Sequence, residues 1–149
     1  MIKIEKAFLD EKNIRELCDL SKRWVDEDIS WGMVPNTKEN ITEPVIVARD
    51  NDTIVGYSFG SFYVMEKKTS GIPNKSKCFS VDELYVLPEY RNIGLGKKLY
   101  DALIDEIKEE ADYITLSTST KDYKRILRFY CEINQMDFHD AFLFKKIDK

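Results

Sequence analysis

The sequence predicts an α/β (α+β) fold: one domain over residues 1–149, with a mixed central sheet of about six to seven strands flanked by about four helices. Three observations carry this. A chain of 149 residues has the size of one domain with a full core. Apolar spacing switches along it between period two and helical period. A strand–helix–strand run over 78–118 reads as a crossover, which places two strands parallel beside an antiparallel hairpin.

The elements follow in order. "IKIEKAF" alternates apolar and charged residues, as a half-buried first strand does. In "DEKNIRELCDLSKRWVDED", Ile14, Leu17, Cys18, Trp24 and Val25 fall near helical spacing, which predicts a helix. "ISWGMVPNTKENI" is a loop with room for a short second helix. "PVIVARD" and "TIVGYSFGSFYVM" form a hairpin joined by Asp50-Asn51-Asp52, a longer turn than the tight Asn-Gly type. Polar "EKKTSGIPNKSK" is an exposed loop, and "CFSVDELYVL" a strand stopped by Pro88. Leu95, Leu99, Ala102, Leu103 and Ile107 make one stripe, predicting a helix over 95–110. "YITLST" is a short strand. "KDYKRILRFYCEI" is a helix with Ile126, Leu127, Tyr130 and Ile133 inward, and "AFLFKKI" alternates like a closing strand.

Composition narrows the function. With 43% hydrophobic and 34% charged residues the chain is globular rather than disordered. A formal charge of -4 disfavours a general nucleic-acid binder. Cys18, Cys78 and Cys131 are odd in number and lack metal-type spacing, so reduced cysteines in a cytoplasmic protein are expected. A lone His139 leaves little for a zinc site or a histidine triad, and no metal is predicted. No charged-then-apolar leader opens the sequence, and no run approaches the roughly 20 apolar residues of a membrane span.

The stretch "VLPEYRNIGLGKKLY" sits where a strand gives way to a helix. Backbone N–H groups there lack acceptors and the helix dipole adds partial positive charge, so an anion, most often phosphate, is favoured. Gly94 and Gly96 allow close approach, and Arg91, Lys97 and Lys98 can add charge. A Walker A loop fails, since Arg91 and Lys98 stand where Gly and Ser/Thr are required; the dinucleotide pattern fails at Leu99.

"RNIGLG" instead matches R/Q-x-x-G-x-G/A, following "ELYVLPEY", with "RFY" in the helix after the next strand. Together these resemble the acetyl-CoA-binding motif of the GNAT superfamily of N-acetyltransferases, well over residues 45–147 and by element order before that. The resemblance implies splayed parallel strands at the cofactor site. It implies a pyrophosphate seat at Arg91, Asn92, Ile93, Gly94, Leu95, Gly96 and Lys97, mainly through backbone N–H groups. Leu84, Tyr85 and Val86 would offer strand backbone to the pantetheine arm.

The implied reaction is acetyl transfer from acetyl-CoA to a primary amine. Such an amine, with a pKa near about 10.4, arrives protonated and needs a base; the leaving thiolate needs an acid. Tyr130 matches the position of that acid in the family, although helical spacing alone makes it a core aromatic. Glu83 is the first choice of base and Asp82 the second, either directly or through water, while each could equally hold a cation or pair with a lysine. In a regular strand only one of the two faces the acceptor, unless a bulge intervenes. A backbone N–H near Val86 would stabilise the oxyanion. Tyr123 stands where the family often has Asn, and "YCEINQMDF" is longer than the usual ending and lacks its Gly, so the helix over 122–134 should end differently.

Around the acceptor, "RWVDEDISWGM" sets Asp26, Glu27 and Asp28 between Trp24 and Trp31. Carboxylates beside aromatic faces suit a small cationic amine, although a charge run is also an ordinary solvated helix end. A protein N-terminus or lysine acceptor, or a non-catalytic CoA-binding regulatory module, are the alternatives. A homodimer is compatible with all of these.

Overall fold

The computed structural model describes residues 1–66 and 71–149, so the loop expected at 66–77 lies partly outside the described residues. The alternating N-terminus forms β1 (Ile2–Ala7). Asp10 then opens α1 (Glu11–Glu27), its carboxylate accepting from the Asn13 N–H at 2.8 Å. Helix α1 buries Asn13, Leu17, Leu20 and Ser21 along one stripe. It ends where Asp28 turns left-handed, at φ 53°. In the loop that follows, the expected short second helix is a single 3₁₀ turn, Lys38–Asn40.

β2 (Val45–Asp50) and β3 (Thr53–Val64) pair antiparallel up to Asp50 opposite Thr53. The connection is therefore two residues, with Asn51 at φ 54°, tighter than the sequence suggests. β4 (Lys77–Val86) follows, and Pro88 opens a 3₁₀ turn over Pro88–Tyr90. α2 (Leu95–Ile107) buries Leu95, Leu99, Leu103 and Ile107, as its spacing predicts. After β5 (Tyr113–Thr115) comes α3 (Tyr123–Leu127), which widens into a π-helix over Arg128–Ile133.

The sheet order is β1-β2-β3-β4-β5, antiparallel except for the parallel β4–β5 pair. β2 and the first half of β3 are buried on both faces. On one face α1 places Trp24 flat against Tyr85, centroids 5.0 Å apart. On the other, α2 brings Leu99 so close to Gly56 that a Cβ there would lie 3.2 Å from its methyl carbon. The counts differ from those expected: five strands and three α-helices among the described residues. The missing strand is 141–147, where Phe142, Leu143, Phe144 and Ile147 stand exposed. Alternation suits a strand to a buried face, but pairing also needs an edge, and β5 offers three residues.

Candidate active site

β5 pairs with β4 only at Cys78–Ser80 against Tyr113–Thr115; from Val81 onward β4 has no partner on that side among the described residues. The Leu87 N–H donates to the Val55 carbonyl at 2.9 Å. By antiparallel alternation Tyr85 also turns its backbone to β3, while Leu84 and Val86 turn theirs to the gap. The Val86 carbonyl does point that way, since Arg91 Nε donates to it at 2.8 Å. The backbone of Leu84 and the N–H of Val86 thus face a cavity of about 700 Å³ that runs from the Gly94 turn past Glu83 to Trp31.

A bulge controls what β4 presents. Phe59 pairs with Glu83 but Gly60 with Val81, so Asp82 is the extra residue. Gly60 is required, because a Cβ there would sit 1.9 Å from the Ser80 carbonyl oxygen. Asp82 and Glu83 consequently both line the cavity, Asp82 exposed and accepting from Ser61 Oγ at 3.2 Å. Glu83 is recessed. Tyr57 Oη donates to it at 2.7 Å, and Asn36 Nδ2 to both its oxygens at 2.8 and 2.7 Å. Burial pushes its carboxyl above the ordinary range; the Tyr57 and Asn36 donors pull the other way and the Asp82 charge adds to the rise. Sequence reasoning missed Asn36 and Tyr57, since neither sits in a motif.

At the turn, Asn92 and Gly94 hold left-handed backbone at φ 64° and 85°. No described hydrogen bond uses the N–H groups of Asn92, Ile93 or Gly94, and those of Leu95, Gly96 and Lys97 lie in the acceptor-less first turn of α2. Nothing lies within 4 Å of where a Gly94 Cβ would be, so the turn opens to the cavity. Arg91 differs from its neighbours. Its N–H donates to the Pro88 carbonyl, and its guanidinium grips both Glu27 oxygens at 2.8 and 2.9 Å. The Tyr85 hydroxyl donates to the same Glu27 carboxylate.

Tyr130 lies in the π segment, half-buried between Phe129 and Tyr100 and lining the same cavity as Glu83. Its hydroxyl has no hydrogen-bond partner among the described residues. Burial, with a smaller contribution from Tyr100, pushes it up to about 12. The departure expected of this helix is the π turn itself: the Asn134 N–H reaches back five residues to the Phe129 carbonyl, absorbing extra length. Gly96 lets Phe129 seat the helix, since a Cβ there would lie 3.3 Å from its ring.

Trp24 and Trp31 line the cavity, but Asp26, Glu27 and Asp28 do not. Asp26 is exposed, Glu27 serves Arg91 and Tyr85, and Asp28 pairs with Lys121 at 2.8 Å. Among the described residues no group of three or more His, Cys, Asp or Glu side chains converges as a metal site. No described helix is long and apolar enough to cross a membrane.

The gap between parallel strands, the bulge and the N–H-lined turn define an acyl-CoA-type site on a mixed α/β sheet. The model of the acetyltransferase (GNAT) family matches residues 9–133, and the chain belongs to that family of acetyl-CoA-dependent N-acetyltransferases. No curated protein matches. Similar solved structures include the aminoglycoside acetyltransferase AAC(6')-Iy with a CoA bisubstrate analogue, at 15% identity and TM-score 0.69, covering 100% of this chain and 99% of that one. A ribosomal-protein-alanine N-acetyltransferase from Brucella melitensis biovar Abortus 2308 aligns at 17% identity and TM-score 0.65, covering 97% and 99%. A predicted acetyltransferase with acetyl-CoA from Clostridium acetobutylicum aligns at 20% identity and TM-score 0.66, covering 97% and 96%.

Proposed function

We propose that the chain, acting as one domain over residues 1–149, transfers the acetyl group of acetyl-CoA to a primary amine of a small cationic molecule by direct attack on the thioester. The observation that carries this reading is the pairing, in one cavity, of a recessed carboxylate with a raised pKa and a protonated phenol. The residues present suit the donor. The N–H groups from Asn92 to Lys97 would hold its pyrophosphate, and the Leu84 backbone would bond its pantetheine arm, the Val86 carbonyl being taken by Arg91 and its N–H kept for the thioester. Acetyl-CoA supplies an activated acyl group and a thiolate leaving group.

Glu83 takes a proton from the entering ammonium, leaving a nucleophilic nitrogen. As the C–N bond forms, the Val86 N–H faces the developing oxyanion. As the C–S bond breaks, Tyr130 delivers its proton to sulfur, its phenolate takes the remaining extra proton from the acylated nitrogen, and Glu83 releases the first proton to solvent. A phenol at about 12 stays protonated throughout the working range, so this transfer is timed to the rise of charge on sulfur. Asp82, exposed beside the cavity mouth, attracts the cationic acceptor.

A screen of primary amines with acetyl-CoA, read by thiol release, tests the reaction, and calorimetry tests the donor. Small cationic amines are expected to be turned over. Acetyl-CoA should bind the intact protein and bind more weakly to Gly94→Asp. Absence of acetyl-CoA binding removes the premise; turnover restricted to peptide N-termini or lysines replaces the acceptor.

A further inference from the structure

The gap between β4 and β5 does not stay open at its far end. Beyond β5 the chain returns to the end of α1, where the Trp31 N–H donates to the Ser119 carbonyl at 2.7 Å and the Lys121 N–H to the Ile29 carbonyl at 2.8 Å. Ser30 and Thr120 face each other between these bonds as an isolated antiparallel bridge. The Lys121 ammonium fastens the joint, 2.8 Å from the Asp28 carboxylate and 4.6 Å from the Trp31 ring centroid. Ser30 is tied back to β4 as well: Trp24 Nε1 donates to its hydroxyl at 3.3 Å, and Trp24 stacks on Tyr85. The rim is therefore continuous. It runs along β4, through Trp24 to Ser30, across to Thr120, and back along 116–119 to the β4–β5 pairing.

We propose that the clamp between residues 28–31 and 119–121 is an acceptor-shape filter. It converts an open notch into a closed window, which admits an amine at the end of an unbranched arm and turns away one on a branched carbon. The proposal rests on the amine-acetylating reading above. With the rim closed, an acceptor cannot slide in sideways; its nitrogen must be threaded end-on to reach a thioester lying in the window beside Glu83. A methyl group next to the nitrogen then meets the rim. Misfit of one carbon in a confined pocket typically changes kcat/KM by about tenfold or more.

Hexane-1,5-diamine carries both kinds of amine in one molecule, so the acetylated nitrogen reads the filter directly by NMR of the product. The expected result is a preference of about tenfold or more for the nitrogen at carbon 1. Lys121→Met, which removes the fastening charge but keeps most of the stem, should lower that ratio several-fold. An unchanged ratio in Lys121→Met, or equal acetylation at both nitrogens by the unaltered protein, overturns the filter alone. If neither nitrogen is acetylated while acetyl-CoA still binds by calorimetry, the amine reading falls and the filter with it.

A second variant guards against loss of folding. Ser30 and Thr120 form the non-hydrogen-bonded kind of pair, with Cα atoms about 4.5 Å apart, within disulfide reach. Ser30→Cys with Thr120→Cys, oxidised by diamide, should turn over the straight end at a rate close to that of its own reduced form, with the preference intact. Unaltered protein treated identically controls for Cys18 and Cys131, which are partly exposed. Loss of all turnover on locking would mean that the clamp must open in each cycle, and would overturn a standing filter.

Discussion

The two sides of the cavity that we propose handle protons are built in opposite ways. Glu83 is held by polar contacts from three directions: Asn36 on both oxygens, Tyr57 on one, and Ser58 on its carbonyl at 2.9 Å. Tyr130 is held by packing alone, between Phe129 and Tyr100, with Gly96 making room for Phe129. A base must keep its geometry while its charge changes, and directional hydrogen bonds do that. The phenol has no hydrogen-bond partner among the described residues, which would leave its hydroxyl free to turn to a sulfur placed beside it. The polar side is preorganised; in the proposed reaction the aromatic side would be completed by the donor.

The largest effect tests the aromatic side. Tyr130→Phe keeps the ring contacts with Phe129 and Tyr100 and removes only the hydroxyl. If the phenol is the acid, kcat should fall by about 10²–10⁴-fold while acetyl-CoA binding by calorimetry changes little. Unchanged turnover in the thiol-release assay would reduce Tyr130 to a core aromatic and erase the contrast.

Glu83→Gln tests the polar side and should lower kcat/KM by about 10²-fold at neutral pH. Its pH dependence is the sharper reading. With the carboxyl raised by burial, the basic form is lost as pH falls through a value above the ordinary range, so the acid limb of kcat/KM should lie higher than a normal glutamate gives. In Glu83→Gln that limb should vanish. Stability runs the opposite way. A raised folded pKa means stability is full below the unfolded value and lost as pH rises through the folded one, so the Tm of Glu83→Gln should gain on that of the unaltered protein as pH rises across that window. A limb that persists in Glu83→Gln would pass the role to Asp82 or to the amine itself.

Legibility in the sequence also divided along this contrast. The turn and α2 were readable because glycines and helical spacing are local signals, and Leu95, Leu99, Leu103 and Ile107 are buried as their period demands. The place of Tyr130 beside the cavity was readable through its short flanking motif. The shell of Glu83 was not, because Asn36 and Tyr57 lie 47 and 26 residues from it and meet it only through the folded sheet. The bulge at Asp82 has a clue in Gly60, but only once β3 and β4 are in register. The acidic run at 26–28 shows the reverse case, local charge whose partners lie far off in the sequence. Charge beside tryptophan suggested an acceptor site, yet Glu27 meets Arg91, 64 residues away, and Asp28 meets Lys121. The alternation of 141–147 likewise spoke of a strand without saying which edge would receive it.

Asn36→Ala has the smallest effect and separates orientation from mere packing. Asn36 Nδ2 hydrogen-bonds the ionised carboxylate, which favours the charged form and offsets part of the rise caused by burial. Removing it therefore raises the Glu83 pKa further, and the acid limb of kcat/KM should move to higher pH. At neutral pH the loss should be about tenfold, the size of one hydrogen bond to a charged group. Part of that loss should return at alkaline pH, where Glu83 is ionised in either protein. Asn36 also has a purely structural tie, its N–H donating to the buried Ser21 Oγ at 2.8 Å, and this survives in the alanine variant. A uniform drop in rate with an unmoved acid limb would therefore mark the side chain as packing, whereas a moved limb ties its amide to the state of charge at Glu83.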